Sequence, residues 1–503
     1  MSPRGSILSR LFRRNAAVEV APPPLDPWSL DRPLLRFGGG DAWTVRDACA
    51  GVQIFGDTGS GKTSGSGRAL ALAMLRAGFG GLVLTAKSDE PDLWRGYMAE
   101  AGREDDLIVF SPESPYRFNF LEHERTRKSR GGGQTANLAE LFLIAMRACD
   151  GSTRDRDAFW EHAARQLLTN LIDALLLADE PISIRAMRDL LMSAPMSAED
   201  VEDDYWKSQS ALYNTLVKAN EVCLDPGGRD DLRVTYDYWM REYAAVMDER
   251  TRGNIVATFT TLADGFMRGT LRELFSTELT IKPEWTFEGK VIVLDLPLKQ
   301  FHLMGRMAQI IWKECWQRTV ESTVRRPEDR PVFQWIDEAQ YFVTARDAEF
   351  AQTARQQKAA SVFLSQSRAN YIASLGAGGH AVVDSFLGVS KTKIFHCNGD
   401  PETNEWAQRV ISEDWRNQVS QSSPTSSPTQ PWGEGNRQQQ ERGGSISMHR
   451  AREPRVLASD FGSLHSGGPP DYAVQAILFQ SGRSFAGGEG NTVRLSFNQR
   501  RSS

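Results

Sequence analysis

Long apolar runs are missing from this 503-residue sequence. The richest stretches, LFLIAM (Leu141 to Met146) and ALLLA (Ala174 to Ala178), fall far short of the roughly 18 residues that a spanning helix needs, so no transmembrane helix is expected. Cysteine is scarce, with five residues at 49, 149, 223, 315 and 397 and no C-x-x-C spacing. That excludes a disulfide framework and a zinc site from the sequence reading, and a reducing cytoplasm is the expected compartment. Bulk positive charge is also lacking: the net charge is −5, so any contact with nucleic acid has to be local. Acidic residues are absent from the first 14 positions, where Arg4, Arg10, Arg13 and Arg14 alternate with apolar Ile7, Leu8, Leu11 and Phe12. This pattern admits a membrane-surface helix or a frayed, solvated terminus, and it is too short and too charged for a secretory signal.

What is present is an ordinary globular composition, 40% hydrophobic and 24% charged, in a chain long enough for two or three folding units. Residues 1–33 form a basic, proline-rich segment. From 34 to 133, VQIF (Val52 to Phe55), GLVLTA (Gly81 to Ala86) and LIVFSP (Leu107 to Pro112) have the composition of buried parallel strands, with a helix ending at Gly78 between the first two. From 134 to 280 the period becomes helical: Leu138, Leu141, Phe142 and Ala145 make one stripe, and Leu167, Leu168, Leu171, Ile172 and Leu175 another. An all-α insertion is expected there. Strand signals return over 281–503 at VIVLDLPL, VFQWID, SVFLSQ, TKIFHC and YAVQAILFQ. The stretch 413–449 is rich in Ser, Pro, Gln and Gly and is expected to be a disordered loop. The fold class that follows is α/β, a mostly parallel sheet flanked by helices and interrupted by an all-α domain.

Directly after VQIF stands GDTGSGKT, which matches G-x-x-x-x-G-K-[ST] in the required strand, loop, helix setting. Its residues Gly56, Asp57, Thr58, Gly59, Ser60, Gly61, Lys62 and Thr63, with Ser64 after them, are the candidate nucleotide-binding set. Backbone N–H groups of such a loop point at phosphate oxygens, and the helix N-terminus adds its positive end. Lys62 is expected to reach the β and γ phosphates and Thr63 to ligate Mg²⁺, which makes ATP and Mg²⁺ the expected cofactors. VFQWIDEAQYF supplies an apolar strand ending in two carboxylates. Asp-Glu at a strand end is by itself a common cap, but beside GDTGSGKT it reads as the second half of an ATP-hydrolysing site. Asp337 is then the Mg²⁺ ligand and Glu338 the residue that activates water. Gln366, at the end of the next strand, is either a γ-phosphate sensor or a capping amide. Arg355, eleven residues before it, is either an arginine finger for a neighbouring subunit or a solvated helix residue.

The order of these elements resembles the FtsK and HerA superfamily of P-loop ATPases, and within it the TraG/TraD-like coupling proteins of type IV secretion. The resemblance runs from about residue 34 to the end. It is carried by GDTGSGKT, FNFL (Phe118 to Leu121), AFWEHAARQLL, GKVIVLDLPL, QWIDEAQYF, the Arg355 to Gln366 spacing, SKTKIFHCNGDPETNEWA and AILFQSGRSF. The roles of Arg355 and Gln366 come from this resemblance. So do the expected partners: DNA, single-stranded or plasmid, with a relaxase or accessory proteins held by the all-α domain. A homo-hexamer is implied, as is peripheral contact with an inner-membrane secretion channel. Its pore rim would offer Lys358, Arg368 or Lys391, each of which also reads as an ordinary surface charge. Three departures stand out: the family's N-terminal membrane helices are not seen, Phe120 replaces a proline, and Thr85 stands where the family has the Asp of Asp-x-Lys before Lys87. Soluble HerA-like translocation and ATP-gated recruitment without translocation are the competing functions.

Overall fold

The computed structural model describes residues 26–129, 131–149, 158–375, 379–422 and 445–500. Thirteen strands occur among them: β1 (Pro33–Arg36), β2 (Ala42–Thr44), β3 (Val52–Phe55), β4 (Gly80–Leu84), β5 (Leu107–Phe110), β6 (Val291–Leu294), β7 (Val332–Ile336), β8 (Ala359–Ser365), β9 (Thr392–Phe395), β10 (Glu413–Ser422), β11 (Ser445–Pro454), β12 (Ala473–Gln480) and β13 (Thr492–Asn498). Nine of them form one sheet in the order β13-β12-β9-β3-β8-β7-β4-β6-β5. The seven strands from β9 to β5 are mutually parallel, and β12 joins antiparallel to both β9 and β13.

A sheet covered on both faces needs strands apolar at nearly every position, and VQIF, VIVL and VFQWI are buried throughout. Alternate residues then serve different cores. Val52, Ile54, Val83, Val291, Val293, Trp335 and Leu364 point to the side where the helix Arg68–Arg76 and Trp94 pack. Phe55, Leu84, Ile292, Leu294, Ile336, Phe363 and Phe395 point to the other, where the helix Leu298–Ser322 lies. Each such side chain contributes about 1.5–3 kcal/mol on burial.

Between Phe120 and Phe275 the described elements are all helical. Their apolar stripes, Leu138, Leu141 and Phe142 with Leu167, Leu168 and Leu171, merge into the core under the sheet through the helix Leu298–Ser322. Trp312 of that helix stacks on Phe118 at 4.2 Å between ring centroids. Its polar side fixes it to the strands: Gln317 donates to Gln334 of β7 at 3.0 Å and to Asp347 at 2.7 Å. Gln334 donates in turn to Ser361 of β8 at 2.8 Å. Lys313 forms a wholly buried ion pair with Asp347 in the same network. A buried charge of this kind is tolerable because it is paired and bonded.

One expectation is corrected. The ends of the stretch 413–449 are ordered, because β10 and β11 pair antiparallel in unbroken register from Glu413 opposite Pro454 to Ser422 opposite Ser445. Backbone ladder bonds compensate there for the scarcity of apolar residues, and residues 423–444 lie outside the described residues. The segment 1–25, with the basic residues noted above, also lies outside them. Among the described residues, no helix is long and apolar enough to cross a membrane.

Candidate functional site

The registers bring four strand ends to one edge of the sheet, with β3 and β8 running two residues past β7 and β4, because Ile336 pairs with Phe363. Phe55 of β3 pairs with Ser365 of β8, and Ile336 of β7 pairs with Leu84 of β4. The residues that follow these ends, Gly56, Gln366, Asp337 and the stretch reaching Lys87, therefore meet at one edge of the sheet. Strand β8 lies between the loop-bearing β3 and the carboxylate-bearing β7, so Gln366 is inserted between the two halves of the site.

The loop after β3 turns through two left-handed glycines, Gly59 at φ 79° and Gly61 at φ 82°. A Cβ on Gly61 would lie 2.6 Å from the Val474 side chain, and one on Gly56 2.4 Å from Ser60 Oγ, so both positions also need glycine for space. Asp57 turns away and accepts from the Gly399 backbone N–H at 2.7 Å, tying the loop to the segment after β9. The helix begins in a wide turn over Thr63–Gly67. Ser66 in that turn meets His396 Nε2 at 2.6 Å. Burial pulls the imidazole down to about 3, so His396 stands neutral beneath the helix start.

Thr58, Gly59, Gly61, Lys62, Thr63 and Ser64 line a cavity of about 470 Å³ together with Glu338, Gln366 and Lys87. Gly56, Asp57 and Ser60 shape the loop without lining the cavity. Thr63 Oγ1 lies 3.3 Å from Asp337 Oδ2. Glu338 occupies the left-handed region at φ 47°, an unfavourable conformation for a side-chain-bearing residue, and is held there from two sides. Gln340 donates to Glu338 Oε2 at 2.9 Å, and Lys87 Nζ lies 3.0 Å from Oε1 and 3.6 Å from Asp337 Oδ2. Burial pushes the Glu338 carboxyl up, but the Gln340 bond and the Lys87 charge outweigh it and leave it below its ordinary value. For Lys87 the same contest ends with the ammonium favoured: burial opposes the charge, and Asp337 and Glu338 together outweigh burial. Ser365 Oγ donates to Gln340 Oε1 at 3.0 Å, so the residue before Gln366 is wired to the amide that aims Glu338.

Arg355 does not join this site. It caps the helix Ala345–Ala354, is exposed, and precedes Lys358, whose carbonyl accepts from Val332 N at the start of β7. That is the opposite edge of the sheet from Asp337. Two of the residues considered for a pore rim are buried and already engaged. Lys358 donates to the carbonyls of Trp28, Pro327 and Asp329, and Arg368 pairs with Asp384 at 2.7 Å and Glu402 at 3.2 Å. Lys391 is exposed.

Sequence reasoning noted Lys87 only beside the departure at Thr85, and missed Gln340, Arg68, Glu100 and Gln499 as parts of the site's surroundings. Lys87 had a signal, its place three residues after the end of β4, and Gln340 lies within DEAQ itself. Gln499, which lines the cavity and donates to Ser64 Oγ at 2.7 Å, had none, because only tertiary structure brings positions 435 apart into contact.

The donors present fit a nucleotide with a divalent cation. Two oxygen atoms, one neutral and one anionic, converge from Thr63 and Asp337, as a hard cation requires, while the Lys62 ammonium and the turn's N–H groups suit phosphates. Solved structures with this architecture exist. The fold is that of the bacterial conjugative coupling protein TrwB. An unbound crystal form of TrwB aligns with 95% of this chain and 91% of its own length, at a TM-score of 0.62 and 13% identity. TrwB with the non-hydrolysable GTP analogue GDPNP aligns with a TM-score of 0.61 at 13% identity, over 95% of this chain and 92% of TrwB. TrwB with ADP and Mg²⁺ gives 0.60 at 14% identity, over the same shares, 95% and 92%. No protein-family profile and no curated protein sequence matches the chain. The likeness to TrwB is thus one of fold, and it covers both the sheet and the helical region.

Proposed function

We propose that this chain is an ATP-hydrolysing coupling motor that recruits DNA, or a DNA-bound or protein substrate, and drives it toward a type IV secretion or conjugation apparatus. The observation that carries the reading is the meeting of Lys62, Thr63, Asp337 and Glu338 at one sheet edge, with an extra strand between the two halves of the site. Lys62 binds the β and γ phosphates, and Thr63 and Asp337 hold Mg²⁺. When bound, Mg²⁺ supplies charge neutralisation across the phosphate oxygens. Glu338, kept ionised by Lys87 and Gln340, accepts the proton of the attacking water. Gln366 lines the same cavity and is placed to follow the terminal phosphate through Ser365 and Gln340.

Arg355 lies at the far edge of the sheet, so a finger role for it requires a second subunit, and a homo-hexameric ring is the assembly that supplies one. Residues 134 to 280 are the partner-recruiting region in this reading. The test is the steady-state ATPase rate with and without single- and double-stranded DNA, with Lys62→Ala as the blank. Stimulation by DNA is the expected result. A rate indifferent to DNA in the assembled ring would overturn the motor reading in favour of recruitment without translocation, and an undiminished rate in Lys62→Ala would overturn the site itself.

A further inference from the structure

Lys87 is a cation of this site to which the ATPase reading assigns no role toward the nucleotide; Arg68, which lines the same cavity, is already paired with Glu100. The Lys87 ammonium reaches both acidic groups of the Asp-Glu pair, 3.0 Å from Glu338 and 3.6 Å from Asp337, and its side chain remains 45% exposed in the cavity that Lys62 and Thr63 line. The backbone that carries it is fixed. Thr85 N donates to Gln309 at 2.8 Å, Gln309 donates back to the Thr85 carbonyl at 2.9 Å, and the Ala86 N–H donates to the buried carboxylate of Glu90 at 2.9 Å. A flexible four-carbon stem on a rigid base keeps the ammonium near the carboxylates yet free to swing.

Asp337 Oδ2 is the atom for which Lys87 and the metal compete, because the same oxygen faces Thr63 Oγ1. Two cations do not share one carboxylate oxygen in a small cavity without repulsion. Lys87 is therefore driven off Asp337 when a metal is held there, and the new anion that a bound nucleotide would bring into the cavity is phosphate. We propose that Lys87 is a third cation of the nucleotide site, exchanging Asp337 for the terminal phosphate while it keeps hold of Glu338, so that it links the water-activating carboxylate to the phosphate only when nucleotide and metal are both in place. This deepens the ATPase reading and rests on it. The bonds broken and formed are those of ATP hydrolysis: Lys87 carries charge without giving up a proton, and the proton of water passes to Glu338.

The experiment pairs Lys87→Ala and Lys87→Arg with Lys62→Ala. In Lys87→Ala the turnover should fall by about 10² to 10³, the usual loss for one donor aimed at developing charge, while nucleotide affinity changes far less. Lys87→Arg, which keeps the charge, should recover part of the rate. A second readout needs no turnover: Mn²⁺ binding without nucleotide, followed by electron paramagnetic resonance, should tighten by about tenfold in Lys87→Ala because the competing charge is gone. Wild-type turnover with unchanged Mn²⁺ binding in Lys87→Ala overturns the proposal. So does loss of nucleotide binding as complete as in Lys62→Ala, since Lys87 would then be a simple binding lysine. If Lys62→Ala is inactive and Lys87→Ala is normal, only this inference fails. If Lys62→Ala hydrolyses ATP like the wild type, the ATPase reading itself fails.

Discussion

The two edges of the central sheet carry the same kinds of cation and put them to opposite uses. At the C-terminal ends of the strands, Lys62 and Lys87 face an open cavity and two carboxylates. At the N-terminal ends, Lys358, Arg330 and Arg325 face backbone carbonyls: Lys358 those of Trp28, Pro327 and Asp329, Arg330 that of Gly78, and Arg325 that of Arg330. Arg330 also lies over the Trp28 ring at 4.9 Å. What separates the two sets is the partner. A cation held by fixed carbonyls is part of the scaffold, and one that shares a solvent-reachable cavity with carboxylates is free to change partners.

The contrast can be broken by substitution. The largest effect is expected at the cavity edge, where Lys62→Ala should abolish turnover, since the phosphate charge loses its partner, with little change in melting temperature. Glu338→Gln should come next: nucleotide binds but hydrolysis stalls, measurable as retained binding of a labelled nucleotide with a rate lowered by about 10² to 10⁴. At the other edge the order reverses. Lys358→Met strips three half-buried carbonyls of their donor and should cost about 1–2 kcal/mol in chemical denaturation, while the folded protein keeps its rate per active site. A rate loss in Lys358→Met without loss of stability would erase the distinction drawn between the edges.

The effect that is smallest near neutral pH, and grows only in acid, belongs to His396. His396 titrates near 3 in the folded protein because it is buried, against an ordinary value near 6.5, so the unfolded chain takes up its proton first. The contribution of the neutral ring is intact above about 6.5 and is lost as pH falls from there toward 3, by at most about 1.4 kcal/mol per pH unit. His396→Gln should flatten that part of the stability profile. An unchanged slope would show that His396 is more open to protons than its burial indicates.

The cavity edge was also the more legible in sequence. GDTGSGKT and the Asp337-Glu338 pair follow apolar runs whose composition alone marks buried strands, because a parallel sheet leaves little polar choice to its interior. The other edge had no such mark. Lys358 read as a surface or pore charge, and nothing local says that carbonyls from distant segments enclose it. Strands β1, β2 and β13 were missed for a related reason. PLLR and AWT are too short to show a period, and TVRLSFN lies beyond the last apolar run noted, on an edge where one face is wet. The β10 and β11 pair was missed because its composition resembles a linker, and only the register between its arms makes it a hairpin.

The position of β3 has a consequence for how this molecule is made. The strand that launches the phosphate loop is flanked by β8 and β9, which begin at Ala359 and Thr392, and the loop's Gly61 and Ser64 rest on Val474 and Gln499. An emerging chain therefore carries its phosphate loop unsupported while more than 300 further residues are synthesised. Closure over such separations is slow. Nucleotide binding thus becomes available late, once the ribosome has delivered the segment that walls the loop, and a chain stopped before Val474 would hold the complete motif without a finished site.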